Sequence, residues 1–421
     1  MTGSTFSKAE PIERITALLD PGSLQLAVGP EGLALTSAAG LLGGWPVAIA
    51  ATNREIAGGS FGVAESHALQ ALLKRSLEAA TPLVLCLDSA GARLDEGLPA
   101  LGAFRQLYRQ LLDARFAGLP VLALLGRDCF GGASMLAANS AQRVYTLESR
   151  LAMSGPAVIQ ALGGRNELDA SDARSVSALM GGASRAGQDH AGRLCEDSHY
   201  AFRQAALDWI AQSQTGGDID LQDQHNRLGN RLLARGMAPS PHREPGPRLL
   251  EMLRELVSES FQATEVDGVM MGRTAKSLPD TYFGFVNGEP VGALSAWTLA
   301  GACLALAGRD SSEAITLLLD SPGQAPTFHD ERLVLSDYVA HLAMVLTHLR
   351  DRGHRVSLQV VGQAAGGVYV ALAAPASRVV ALPGATVQML PPAAIARIIG
   401  RSNARDDVDD FLRAGVIDTL I

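Results

Sequence analysis

A chain of 421 residues, 47% hydrophobic and 19% charged, is long enough for two buried cores and too apolar to be disordered. Its net charge of −8 comes without a Lys/Arg block, which excludes the basic stripe of a nucleic-acid-binding protein. The four cysteines are scattered without a CxxC or His/Cys cluster, which argues against a zinc site and fits a reducing cytoplasm.

The N-terminal MTGSTFSKAEPIERI lacks the basic-then-apolar layout of a signal peptide, so a cytoplasmic location is expected. GGSFG at Gly58–Gly62 precedes a helical stretch from Val63 to Leu77 that carries His67. PLVLCLDSAGAR, from Pro82, is an apolar run closed by Asp-Ser-x-Gly, which predicts a buried strand entering a tight turn. GLPVLALLGRDCFGGASMLAA, from Gly118, predicts a strand, a Gly-Gly turn and a helix of small residues. MSGPAVIQALGG follows from Met153, and a polar helical stretch runs from about Asn166 to Ala234.

SPHREPGP, from Ser240 to Pro247, reads as a joint between domains 1–240 and 247–421. Beyond it the same order returns. A Gly-rich entry at Phe283–Gly292 precedes AITLLLDSPGQA from Ala314. GHRVSLQVVGQAAGGVYVALAA follows from Gly353, and MLPPAAIARIIG from Met389. The apolar stretch from Val356 to Leu382 is broken by Gln359, Gln363, Gly366, Gly367, Pro375 and Arg378, so strand, turn and helix are expected rather than a membrane span. Matched blocks in one order at nearly equal spacing make the chain two copies of one α/β unit with successive β–turn–α steps.

A Gly pair between a buried strand and a helix start exposes consecutive N–H groups at the positive end of a helix, where an oxyanion can be held. Gly131 and Gly132, followed by Ala133 and Ser134, form such a turn in the first copy; Gly366 and Gly367 form it in the second. Other candidates have plainer roles. His67, which could deliver a proton, fits a solvent-facing or packed helix position better, His329, which could face the cleft, fits a polar loop role better, and Asp88 and Asp320 fit capping of the loops they begin. Arg54 and Arg93 suit either phosphate contacts or carboxylate partners, and Ser134 suits ordinary helix-start chemistry. Cys129 has no base placed near it by the sequence.

GGSFG, LDSAGARLDEG (Leu87–Gly97), FGGAS (Phe130–Ser134) and LAMSGPAVI (Leu151–Ile159) together resemble the β-type half of the acyl-CoA carboxyltransferase group of the crotonase superfamily. LLLDSPGQ (Leu317–Gln324), AAGG (Ala364–Gly367) and VVALPGATVQML (Val379–Leu390) resemble its γ- or α-type half. The stretches Asn166–Leu207 and Leu335–Val356 are similar to the β and γ subunits of biotin-independent malonate decarboxylase, which makes the chain a fusion of two usually separate subunits. The resemblance implies an α/β fold of two tandem crotonase-like (ClpP/crotonase) β-β-α superhelical domains packed as an internal pseudo-dimer. It implies decarboxylation of a malonyl thioester on an acyl-carrier protein to the acetyl thioester and CO2. Gly131 and Gly132 would hold the thioester oxygen, while Gly366 and Gly367 would hold the departing carboxylate. Gly59, Gly62, Ala90 and Gly91, with Ala133 and Ser134, would line the substrate.

No tightly bound cofactor or metal is expected from the resemblance. The substrate arm would be of dephospho-CoA type, or a CoA thioester. The partners would be the carrier protein and the transferase subunit that loads it, with homo-oligomerisation left open. Three departures stand out. The glutamate expected right after Gly62 is displaced to Glu65. Ala365 stands where the second turn often has Ser, and APTFHDER follows DSPGQ where an arginine-rich run is common. A biotin-dependent acyl-CoA carboxyltransferase and a non-catalytic scaffold are the alternatives.

Overall fold

The computed structural model describes residues 5–213, 219–246, 250–251, 253–254, 261–275, 280–309, 313–391, 394–395 and 408–420. By compactness these form two units, Met1–Ile219 with Pro326–Ser336, and Asp220–Ala325 with Asp337–Ile421. The division into domains 1–240 and 247–421 is a proposal about the two sequence copies. The compact units instead divide at 219/220 and give 326–336 to the first. Of the expected third block of the second copy, 392–393 and 396–400 lie outside the described residues, as does Pro247 of the expected joint.

The first unit is built on a sheet ordered β1 (Gln25–Leu26), β2 (Leu35–Leu42), β3 (Trp45–Thr52), β4 (Leu83–Ser89), β5 (Val121–Phe130), β6 (Gln142–Tyr145) and β8 (Gly192–Leu194), with β7 (Arg150–Ala152) also pairing β5. The edge hairpin is antiparallel; β3 to β4, β4 to β5, β5 to β6 and β6 to β8 are parallel. Every residue of β4 is buried, as a strand covered on both faces requires. Helices Val63–Glu78 and Leu98–Phe116 supply the crossovers on either side of β4. Phe6, Ile15 and Leu18 pack with Ile49, Val84, Leu124, Phe202 and Trp209 on one side of this sheet. The polar stretch after Asn166 is not helix throughout. Helices Ala173–Met180, Gly182–Ala186, His199–Ser213 and Leu221–Leu233 alternate with loops and with β8, which takes a sheet edge that periodicity could not reveal.

The second unit repeats the plan. Its sheet is ordered β17 (Thr419–Leu420), β15 (Arg378–Ala381), β13 (Arg355–Val360), β12 (Ala314–Leu319), β11 (Thr281–Phe285), β10 (Val269–Thr274) and β9 (Phe261–Val266). β14 (Gln363–Ala365) pairs β16 (Thr386–Gln388) beside it. The β9–β10 hairpin turns at Asp267–Gly268, both at positive φ, the backbone an Asp-Gly turn favours. Helices Ala293–Ala307 and Leu335–Asp351 precede and follow β12. No described helix is long and apolar enough to cross a membrane.

Candidate functional site

The repeated turns have nearly the same geometry. Gly91 and Gly323 have φ of 108° and 109°, and each donates its N–H to the serine two residues earlier, Ser89 or Ser321, at 3.1 and 3.2 Å. Phe61 bridges to Ala92 as Val291 bridges to Gln324. Gly131 and Gly366, at φ 54° and 57°, open the following helices Gly132–Ala138 and Gly366–Ala373. Asp88 accepts the Asp128 N–H at 3.2 Å, and Asp320 accepts the Gln363 N–H at 2.8 Å, so both aspartates fasten the ends of their strands.

In the first unit several of the expected groups already have partners. The Gly131 N–H already donates to the Ala152 carbonyl at 3.1 Å. The Ser134 hydroxyl is fully buried and donates to the Gly131 carbonyl at 2.7 Å. Ala90 N–H donates to Gly58, Gly59 N–H to Ile56, and Gly62 N–H to Glu65. Each of these groups is thus spent on holding the turn in shape. The Gly132, Ala133 and Ala92 N–H groups have no acceptor among the described residues. For the first two this follows from standing at the start of a helix, where no preceding carbonyl is in reach. The Ala92 nitrogen lies 4.0 Å from where a Gly131 Cβ would stand, so the DSAG loop and the Gly-Gly turn meet at one spot. Ala92 and Gly132 are both half-exposed there, whereas Ala133 is buried. Ala92 is absent from the residues singled out by the sequence pattern. In the alignment of DSAGA with DSPGQ, Ala92 stands opposite Gln324.

That difference decides the state of the second turn. Gln324 Oε1 accepts the Gly367 N–H at 3.1 Å and lies 2.6 Å from where a Gly366 Cβ would be. A side-chain carbonyl therefore already sits on the donor expected to hold a carboxylate, whereas Ala92 is too short to do the same in the first unit.

The supports of the first turn are ionic and buried. Glu65 is 1% exposed and accepts from the N–H of Ala34 and Gly62 and from Arg93 at 2.8 Å. Burial opposes its ionisation, but these donors outweigh it and hold its pKa below the usual carboxylate value. Arg93 also binds Glu96 and the Ser60 carbonyl, so it fastens this loop and is not turned to a phosphate. Arg54 bridges Asp88 and Asp128 at 2.8 and 2.6 Å, at a cleft lined also by Lys8, Arg14 and Arg127. His67 and His329 are exposed. Cys129 is fully buried; burial, reinforced by Asp88, pushes its thiol well above the usual range. Iodoacetamide at pH 8 is expected to leave native Cys129 unmodified and to label it after denaturation, as peptide mass spectrometry would show.

Residues 9–192 match the carboxyl transferase domain family, and residues 286–408 match the malonate decarboxylase gamma subunit family. The 12S subunit of methylmalonyl-CoA carboxyltransferase from Propionibacterium freudenreichii subsp. shermanii is 23% identical over 94% of this chain and 79% of its own length. Malonyl-S-ACP:biotin-protein carboxyltransferase MADC of Malonomonas rubra is 31% identical over 29% of this chain and 39% of its own length. A solved Pseudomonas malonate decarboxylase hetero-tetramer in complex with malonate is 27% identical, covers 54% of this chain and 92% of that chain, and superposes with a TM-score of 0.48.

Proposed function

We propose, for a chain that joins a crotonase-like carboxyl transferase domain to a malonate decarboxylase gamma-type domain, that it decarboxylates a malonyl thioester to the acetyl thioester and CO2. One observation carries the reading: the Ala92 nitrogen, whose N–H has no acceptor among the described residues, stands beside Gly131, and Gly132, the next residue, opens a helix with its own N–H unengaged. Cleavage of the carbon–carbon bond sends its electron pair into the thioester, leaving an enolate whose charge gathers on the carbonyl oxygen. Two fixed backbone donors at that oxygen stabilise the enolate more than the ground-state thioester, which lowers the barrier. A proton delivered to the α-carbon then gives the acetyl product.

The first unit is the better candidate for this step, because the matching donor of the second unit is covered by Gln324. The reading thus moves the thioester oxygen from Gly131 to Ala92 and Gly132. It gives Gly366 and Gly367 no carboxylate to hold while Gln324 stays in place. Gly59, Gly62, Ala90, Gly91, Ala133 and Ser134 build the walls of the substrate turn. Lys8, at the cleft beside the carboxyl ends of β3 and β4, suits a phosphate of a carrier arm, with Arg54 and Arg127 held behind it by Asp88. A carrier protein and its loading subunit are the proposed partners.

Malonyl-CoA supplied without biotin is expected to release CO2 and yield acetyl-CoA. Carboxyl transfer to free biotin with no biotin-independent CO2 release would replace this reading with the carboxyltransferase one. The absence of both activities would leave the scaffold reading.

A further inference from the structure

We propose that Glu331 is a positioning residue for the first unit's oxyanion turn, acting through the backbone of Met153 and Ser154. The inference rests on the decarboxylation reading for its kinetic test, and on geometry alone for its structural one. Glu331 lies in the segment Pro326–Ser336, which follows the second DSPGQ loop in sequence yet belongs to the first compact unit. Its carboxylate accepts the Ser154 N–H at 2.5 Å and the Met153 N–H at 3.2 Å. The residue before them, Ala152, accepts the Gly131 N–H, and the Met153 carbonyl lies 4.0 Å from where a Gly131 Cβ would stand. Glu331 thus grips the strand end on which the turn rests.

The grip is itself held. Arg185 donates to the Leu151 carbonyl at 2.7 Å and to the Glu331 carbonyl at 2.8 Å, with its second terminal nitrogen 3.7 Å from the Glu331 carboxylate. Both side chains are fully buried. The segment is anchored further by Phe328, which packs on the cluster of Ala152, Ile159 and Leu168 and donates its N–H to Glu167 at 2.6 Å. A carboxylate that accepts two adjacent backbone amides fixes their direction, and a displacement of about 1 Å at a catalytic group can cost about 100-fold in rate. A general need for buried charge is met equally well by aspartate; a need for reach is not, because the shorter side chain cannot touch both amides.

The test uses the full chain, with Glu331→Asp and Glu331→Gln compared by CO2 release from malonyl-CoA and by hydrogen exchange. Both variants, once shown folded by circular dichroism, are expected to lose about 100-fold in kcat with KM changed by less than about threefold. Peptides spanning 150–156 should exchange about tenfold faster, while those spanning β4 keep their protection. A folded Glu331→Asp that keeps wild-type kcat and wild-type exchange at 150–156 overturns the proposal. If wild type releases no CO2, the decarboxylation reading fails, and the exchange result alone decides this one. If a variant does not fold, the other carries the test; if neither folds, Glu331 is required for the fold itself and the positioning role is rejected.

Discussion

Gly132→Val is expected to reduce malonyl-CoA decarboxylation about 100- to 1000-fold, the loss typical of removing one oxyanion donor, or about 2.7–4 kcal/mol. A Cβ at Gly132 would stand 2.6–3.0 Å from three ring atoms of the buried Phe104, so the helix start must move to admit it. The amide moves with it, and the donor no longer points at the spot it shares with Ala92. Gly131→Ala should also be damaging, because φ 54° at this position costs a side-chain-bearing residue about 1–2 kcal/mol. The matching change in the second unit provides the contrast. Gly367 donates to Gln324, so Gly367→Ala and Gln324→Ala are expected to leave kcat within about threefold. Steady-state kinetics on the purified variants check both halves of the statement. Equal losses from Gly132→Val and Gly367→Ala would mean that both turns take part, and would sink the one-turn reading.

The second unit should lose stability steeply in acid. His341 is fully buried on helix Leu335–Asp351, and His225, 8% exposed, lies 3.2 Å from it through their ring nitrogens. With Gln224 Oε1 accepting from His341 Nδ1 at 3.1 Å, His341 Nε2 is left as an acceptor and His225 Nδ1 donates to it. His225 also stacks on Trp297 with centroids 4.6 Å apart. This chain needs His341 neutral, because a proton on its Nε2 would remove the acceptor and set two donors against each other. Burial pushes both downward, and the neighbouring His225 helps push His341 to about 3.

The sign follows. Below the ordinary value of 6.5 the unfolded chain takes up protons that these folded rings refuse. Their stabilising contribution is therefore present above pH 6.5 and is lost as pH falls below it, for His341 through a window that reaches down to about 3. Each group should cost up to about tenfold in the folding equilibrium per pH unit. Urea unfolding followed by fluorescence, with Trp297 reporting on the stacked pair, should give a midpoint that drops below pH 6.5. A His225→Phe/His341→Leu variant should flatten that drop. An unchanged slope in the double variant would remove the histidines as its cause.

The sequence alone determined the two-fold repeat, because strands buried on both faces are continuous apolar runs and because Gly131 and Gly366 need a left-handed backbone. It also determined where the turns stand, since Asp-Ser-x-Gly and Gly-Gly mark strand ends by local chemistry. The helix Val63–Glu78 and the strand–turn–helix run through β13, β14 and helix Gly366–Ala373 were legible for the same reason. Only the tertiary structure decided which of these amides have partners within the protein. Gly131 and Gly62 look available in sequence, but Ala152 and Glu65 take their N–H groups, and Ala152 is reached only through the pairing of β7 with β5. Gln324 covers the second turn by a contact between loops well apart in the chain. Glu331 meets Met153 and Ser154 across 178 and 177 positions, a separation at which no local pattern carries information. Propensity and periodicity act over a turn or a strand, whereas hydrogen-bond donors are allotted by whatever the fold brings within about 3 Å.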